Sequence, residues 1–382
     1  MKFTTPTYFL TTTFVTTLLL DISNGAHLRQ TTSISTSPST DQLYCGQAPC
    51  VTLSELTKEL RNRVPREDPN IKLYAAPNDA QINDWKSVVK SMLIADPRCE
   101  SIPIPDSLTE AKYTTARFTD EDDYDYCVLS SLPTQSYENN SNVYSKYFEY
   151  LWGTVIIRLR KNDIFLTKVS IDIPHPWSDK GTYAQGTSIF KNSNAKSLLL
   201  AGSERYTNGK DENSPKSDCD SRYNEADAAH GTNNMFHAAV EKIDNYFSGK
   251  GGYTAIQFHG MGNTTCPGVD AFFSDGNDQE ASSSGNELRW NFETSSNFNE
   301  DTLKLVGEAE CNMNGTRNIQ GRFLNGVSTP ELCRTESEGG IFSTEPTRYD
   351  GKFLQIEQKE NIRGEQYYKA WAEAVINSFP SY

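Results

Sequence analysis

From Tyr147 onward the chain alternates short apolar runs with stretches of helical spacing. "GTVIIRL", "IFLTKVSIDIP", "AKSLLLAG", "YTAIQFHG" and "KFLQIEQ" have the length and the β-branched and aromatic content of buried strands. "RKND" reads as a hairpin turn joining the first two. Between the runs, "TYAQGTSIFKNS" and "EADAAHGTNNMFHAAVEKIDNYF" repeat apolar residues at helical intervals. The second places Met235, Phe236, Ala239, Ile243 and Phe247 on one face. "DTLKLVGEAE" reads as a further helix, and "GEQYYKAWAEAVINSF" closes the chain as an amphipathic one. The segment from Gly260 to Gly285 is rich in Gly, Ser, Asn and Asp and reads as a loop. Strands alternating with helices predict an α/β fold, with a mostly parallel central sheet and helices on both faces.

The first part of the chain has a different texture. Lys2, the apolar stretch "YFLTTTFVTTLLL" and the small residues of "SNGA" form a signal-peptide pattern over residues 1–26. A membrane anchor is the other reading of that stretch, and no later segment is long and apolar enough to cross a bilayer. Residues 27–146 read as a Ser/Thr-rich leader followed by a small, partly helical, irregular extension held by disulfides. Its helices are "LSELTKELRNRV" and "INDWKSVVKSMLIA". "FTDEDDYDYC" is an acidic loop, either solvated or cation-binding. Residues 147–382 then form the α/β domain.

Eight cysteines, with no C-x-x-C pair, suit disulfides in a secreted chain better than a thiolate metal site. Cys45 with Cys50 makes a plausible small loop, and the other pairings stay open. Three N-x-[ST] sequons, at Asn139, Asn263 and Asn314, fit the same address: secreted or extracellular, with association at the cell surface as the alternative. A net charge of −14 without a basic stripe excludes a duplex-binding surface, so no nucleic-acid partner and no stable membrane insertion are expected.

In parallel sheets, ligands bind at the carboxyl ends of the strands. His175 follows "VSIDIP", His259 ends "AIQF", and Glu357 lies within "FLQIEQ". Two imidazoles and a carboxylate, with one position left for water, are what a catalytic zinc ion takes. His175, Asp179 and His259 supply that set. Hydrogen-bonded loop or core positions are the alternative for each histidine. Glu357, between apolar neighbours, is either a general base or the partner of Lys359 or Arg363. Arg205, just after a strand in "LLLAGSERYTN", either grips a substrate carboxylate or pairs with nearby acids; Arg222 is a second candidate. No G-x-S-x-G supports a serine nucleophile.

"IPHPWSDKGT" resembles the "PH…E-x-G-T" element of the poly-γ-glutamate hydrolase and N-formylglutamate amidohydrolase group of zinc carboxypeptidase-like hydrolases. "AIQFHG" is similar to the group's later strand ending in a histidine ligand, and "FLQIEQKENIR" to its closing "Q-x-E…R" element. The resemblance runs from about Ile164 to the C-terminus, leaving the first third outside it. It implies a zinc carboxypeptidase-like fold, a Zn2+ cofactor, His175 and His259 as ligands and Glu357 as base. The chain departs from the pattern at the third ligand, where Asp179 stands one position closer than the group's glutamate; His230 or Glu204 is the substitute if it does not reach. The implied activity is hydrolysis of an amide bond (peptide, γ-glutamyl or N-acyl amino acid) by a metal-activated water, on a small-molecule or peptide substrate bearing a carboxylate. The alternative is a non-catalytic secreted glycoprotein on an inherited hydrolase fold.

Overall fold

Strands β5 (Thr154–Arg158), β6 (Thr167–Ile173), β7 (Ala195–Leu200), β8 (Thr254–Gly260) and β11 (Phe353–Gln358) coincide with the five apolar runs. They have few exposed positions because helices cover both faces, so the polar–apolar alternation of a half-exposed strand is absent. The computed structural model describes residues 43–45, 48–62, 74–94, 98–131, 150–160, 166–276, 282–311, 313–334 and 351–379. The signal-peptide pattern, the leader up to residue 42, most of the "RKND" turn and the Asn139 sequon lie outside them. Thr40–Tyr382 form one unit.

Among the described residues, β1 (Tyr44–Cys45) pairs with β2 (Ala48–Pro49), and nine further strands form one sheet. The others are β3 (Tyr113–Thr119), β4 (Asp125–Ser131), β9 (Ala271–Ser274) and β10 (Leu303–Leu305), in the order β10-β9-β11-β8-β6-β7-β5-β4-β3. The sheet is mixed rather than mostly parallel. Its centre, β11, β8, β6 and β7, is parallel, while β9 and β5 flank it antiparallel and β4 and β3 continue antiparallel. The parallel centre needs crossover helices, whereas the β3–β4 edge closes with a tight turn over Asp120–Tyr124, the acidic stretch of the sequence. Residues expected to form an extension thus supply two strands of the sheet, anchored by the Cys99–Cys127 disulfide.

Four local expectations change. β5 and β6 are not a hairpin, because β7 lies between them. "DTLKLVGEAE" contains β10, whose Leu303 and Leu305 are buried on either side of a half-buried Lys304. The long helix begins only at Met235, where the Asn234 side chain accepts from His237 N; the preceding residues are turns. The Gly260–Gly285 stretch contains β9.

The order of β7, β6 and β8 is what places a site. From β6 the chain runs through the helix Thr182–Asn192 to β7 on one side, then through the helix Met235–Phe247 to β8 on the other. The carboxyl end of β6 is therefore the switch point of the sheet, where a crevice opens. Ile171, Ile173, Ile256, Phe258 and Ile356 face the helices Thr182–Asn192 and Tyr368–Ser378, with Trp371 stacked on Phe292 at 3.7 Å. Leu199, Ala255 and Phe353 face the opposite layer, with Val240 and Ile243. Gly186 lets its helix settle on β6: a Cβ there would lie 2.4 Å from Ile173 Cδ1.

All eight cysteines are paired: Cys45–Cys50, Cys99–Cys127, Cys219–Cys333 and Cys266–Cys311. No described helix is long and apolar enough to cross a membrane. Of the two described sequons, Asn263 is exposed in a turn and Asn314 is half-buried.

Asp172, in the central strand, is fully buried; Ser170 Oγ donates to its Oδ1 and its Oδ2 has no hydrogen-bond partner among the described residues. Burial pushes its carboxyl up to about 7, against the lowering bond from Ser170. The folded chain thus binds this proton more tightly than the unfolded one, and the stability that this supplies is complete below the unfolded value, near 3.8, and lost as pH rises through 7. At about 1.4 kcal/mol per unit, the loss is on the order of 4 kcal/mol. Asp172→Asn is accordingly expected to be more stable than the wild type at pH 8, with the gap closing toward pH 4; urea unfolding at the two pH values measures it. An equal difference at both pH values would contradict this account of Asp172.

Candidate metal centre

The turn after β6 is built to return a carboxylate to the ring before it. Pro174 and Pro176 flank His175, Asp179 N donates to His175 O at 3.0 Å, and Thr182 closes on Asp179 O through both N and Oγ1. Arg363 Nη1 pins the next residue by donating to Lys180 O at 2.6 Å. One strand over, His259 is the penultimate residue of β8, and Glu357 stands beside it in register on β11.

This geometry brings His175, Asp179 and His259 together. The two rings lie 5.0 Å apart at 68°, and Asp179 Oδ2 is 3.4 Å from His175 Nδ1 and 3.5 Å from His259 Nδ1. All three donor atoms fall within 4.8 Å of one another, and all three residues are buried. Donors on a tetrahedral ion with bonds of about 2.0–2.2 Å sit about 3.3–3.5 Å apart. His175 Nδ1 and Asp179 Oδ2 are buried with no hydrogen-bond partner among the described residues. Buried polar atoms are rarely left so, and an ion between them would satisfy both. The three residues therefore fit a metal ion.

The far sides of the rings are held. His175 Nε2 is 2.9 Å from Asp227 Oδ1, which also takes His230 Nδ1 at 2.9 Å and Ala229 N at 3.2 Å. His259 Nε2 is 3.2 Å from Gln257 Oε1. Such outer partners fix which ring nitrogen is bare. Burial works to raise the carboxyls of Asp179 and Asp227, but their neighbours prevail and hold both well below the usual range. For Asp179 these are the adjoining His175 and His259 rings and the charge of Arg205, and for Asp227 they are His230 and His175. For Glu357 burial prevails: its carboxyl is raised, against the lowering charge of His259 and with Asp179 adding to the rise. Its Oε1 lies 4.0 Å from His259 Nδ1 and accepts from Gln355 Nε2 at 3.2 Å. Asp227→Asn should weaken metal binding by roughly 10- to 100-fold, the usual cost of losing a ligand's outer partner; equilibrium dialysis measures it, and unchanged affinity would count against the arrangement.

The remaining candidates are placed differently. Arg205 Nη2 donates to Asp179 Oδ1 at 2.7 Å, so the guanidinium braces the carboxylate at the centre of the trio. Arg222 forks onto Asp220, its Nε donating at 2.8 Å. Glu204 accepts from Ser178 Oγ and Tyr206 N, both at 2.7 Å, which ties the β7 loop to the His175–Asp179 turn. His230 stacks on Tyr223 at 3.5 Å and shares Asp227 with His175. His237 is buried on its helix, edge-on to Phe323. Sequence reasoning missed Asp227 and Gln257. Gln257 carried the signal that exposed Glu357, a polar residue in an apolar strand, whereas Asp227 carried none.

No family model matches the chain, and no curated protein matches it. The solved structures to which it is similar include metallo-carboxypeptidases and an amidohydrolase. With N-formylglutamate amidohydrolase from Ralstonia eutropha JMP134 the identity is 12%, the match covers 56% of this chain and 93% of that one, and the TM-score is 0.30. With the metallo-carboxypeptidase from Burkholderia cenocepacia the identity is 12%, coverage is 59% of each chain and the TM-score is 0.31. With that from Pseudomonas aeruginosa, solved in complex with (2-guanidinoethylmercapto)succinic acid, the identity is 14%, coverage is 59% of each chain and the TM-score is 0.30. The chain thus spans about three fifths of the length of those carboxypeptidases. Likenesses at this level carry no chemistry over to this chain.

Proposed function

We propose that the chain is a secreted zinc-dependent hydrolase of amide bonds in substrates that carry a carboxylate. The observation that supports this most is a pair of buried atoms 3.4 Å apart, His175 Nδ1 and Asp179 Oδ2, that have no hydrogen-bond partner among the described residues, with His259 Nδ1 3.5 Å from Asp179 Oδ2. Two imidazoles and one carboxylate are a common donor set for a catalytic zinc ion, and thiolates are ruled out by the disulfides. A bound zinc ion supplies Lewis acidity, polarising an amide carbonyl and acidifying water. The rest falls to the chain's own groups. Glu357 takes a proton on its carboxylate and returns it to the leaving nitrogen, and its raised carboxyl suits both halves of that task. Asp179, braced by Arg205, stays ionised beside both rings. Arg205, whose side chain is 23% exposed, is the residue on this loop best suited to orient a substrate carboxylate through its guanidinium.

The test is turnover of a panel of N-acyl amino acids, γ-glutamyl peptides and ordinary peptides with free carboxyl termini. The protein is assayed as purified, after chelation, and after zinc is restored. Hydrolysis of at least one class, lost on chelation and regained with zinc, is expected. Activity indifferent to chelation would sink the proposal.

A further inference from the structure

Behind β8 and β11 lies a run of buried amides that the proposed reaction does not itself use. Asn318, Gln257 and Gln320 are each at most 2% exposed. Asn318 Oδ1 accepts from Gly321 N at 3.0 Å, and Asn318 Nδ2 donates to Gln257 Oε1 at 2.6 Å. Gln257 Nε2 donates to Gln320 Oε1 at 3.3 Å, and Gln320 Nε2 donates to Ala228 O at 3.0 Å. Each amide in such a row fits either way round until something of fixed polarity pins it. Here both ends are backbone. The Gly321 N–H can only donate, and the Ala228 carbonyl can only accept. Every amide between them is therefore oriented, and Gln257 must present its oxygen to His259.

We infer that Asn318 is a positioning residue that sets the tautomer of His259 through Gln257, leaving Nδ1 without its hydrogen and facing Asp179. Facing a carbonyl oxygen at 3.2 Å, His259 Nε2 must carry the proton of the neutral ring. Its Nδ1, 3.5 Å from Asp179 Oδ2, then offers a lone pair in advance of any ion. Asn318 Nδ2 also lies 3.4 Å from Gln355 Oε1, whose amide donates to Glu357 Oε1, so one side chain aligns the ring and the carboxylate together. The role in metal binding rests on the proposed function; the tautomer does not.

Asn318→Asp separates polarity from structure. Aspartate accepts from Gly321 N as asparagine does, but has no hydrogen for Gln257. Keeping its oxygen there would set Gln257 against a carboxylate, so Gln257 turns its amine toward that carboxylate and His259, giving up its weaker bond to Gln320; this drives the ring's hydrogen to Nδ1 and aims it at Asp179. The measurement is the set of ring nitrogen-15 resonances of metal-free protein at mildly alkaline pH, with His259 assigned by its loss in His259→Gln, followed by zinc titration. The wild type should show the Nε2–H form. Asn318→Asp should shift toward Nδ1–H and bind zinc roughly 10- to 100-fold more weakly. An Nδ1–H ring in the wild type overturns the inference, whether or not the variant folds. So does a folded Asn318→Asp that keeps both the Nε2–H form and full zinc affinity. If the variant shifts the tautomer but the wild type takes up no zinc, the inference stands and the metal reading falls.

Discussion

Glu357→Gln is expected to lower kcat by roughly 100- to 10,000-fold, the usual contribution of a positioned general acid–base group, while zinc content stays at the wild-type level. The change is nearly isosteric. Glu357 stands in register beside His259 and accepts from Gln355, contacts that an amide can keep by rotation. It is removed from proton transfer without disturbing His175, Asp179 or His259. Steady-state kinetics on the best substrate of the panel, paired with metal analysis of the same preparation, gives the answer. Zinc retained with kcat unchanged would remove Glu357 from the chemistry and favour a non-catalytic protein on a hydrolase-like fold.

His175→Ala should weaken zinc binding by far more than the roughly 10- to 100-fold expected at Asp227 or Asn318, because it deletes a donor rather than the partner of one. The reason is local. His175 supplies one of the three converging atoms, and its removal leaves Asp227 accepting from His230 and Ala229 N with the pocket for the ring unfilled. His259→Ala should behave alike, since the Nδ1 of each ring lies within 3.5 Å of Asp179 Oδ2. Competition with a chromogenic chelator, alongside circular dichroism to establish folding, measures both. Retention of near wild-type affinity in either folded variant would contradict the trio.

The central strands were legible because burial on both faces writes them as unbroken apolar runs; a charged or amide residue inside such a run then stands out, as Glu357 and His259 did. The edges were not. Tyr113–Thr119 holds three threonines and an arginine, and it becomes a strand through pairing with β4 and the Cys99–Cys127 bridge rather than through its own pattern. β9 and β10, of four and three residues, are too short to show a period. The long helix was overextended because "EADAAH" is rich in helix-forming residues, whereas Asn234 fixes the start by capping. At the site, Asp179 was legible from its spacing to His175. Asp227 and Asn318 were not, because their partners lie 52 and 61 residues away and nothing local marks a carboxylate or an amide as the back support of a ring.

The most direct test of the central claim is the zinc stoichiometry of chelator-stripped protein after equilibrium dialysis against zinc, for the wild type and the His175→Ala/His259→Ala double variant. One zinc per wild-type chain and none tightly held by the folded double variant is the predicted result. A wild type that holds no zinc, or a double variant that holds it as tightly as the wild type, would contradict a shared ion between the two rings.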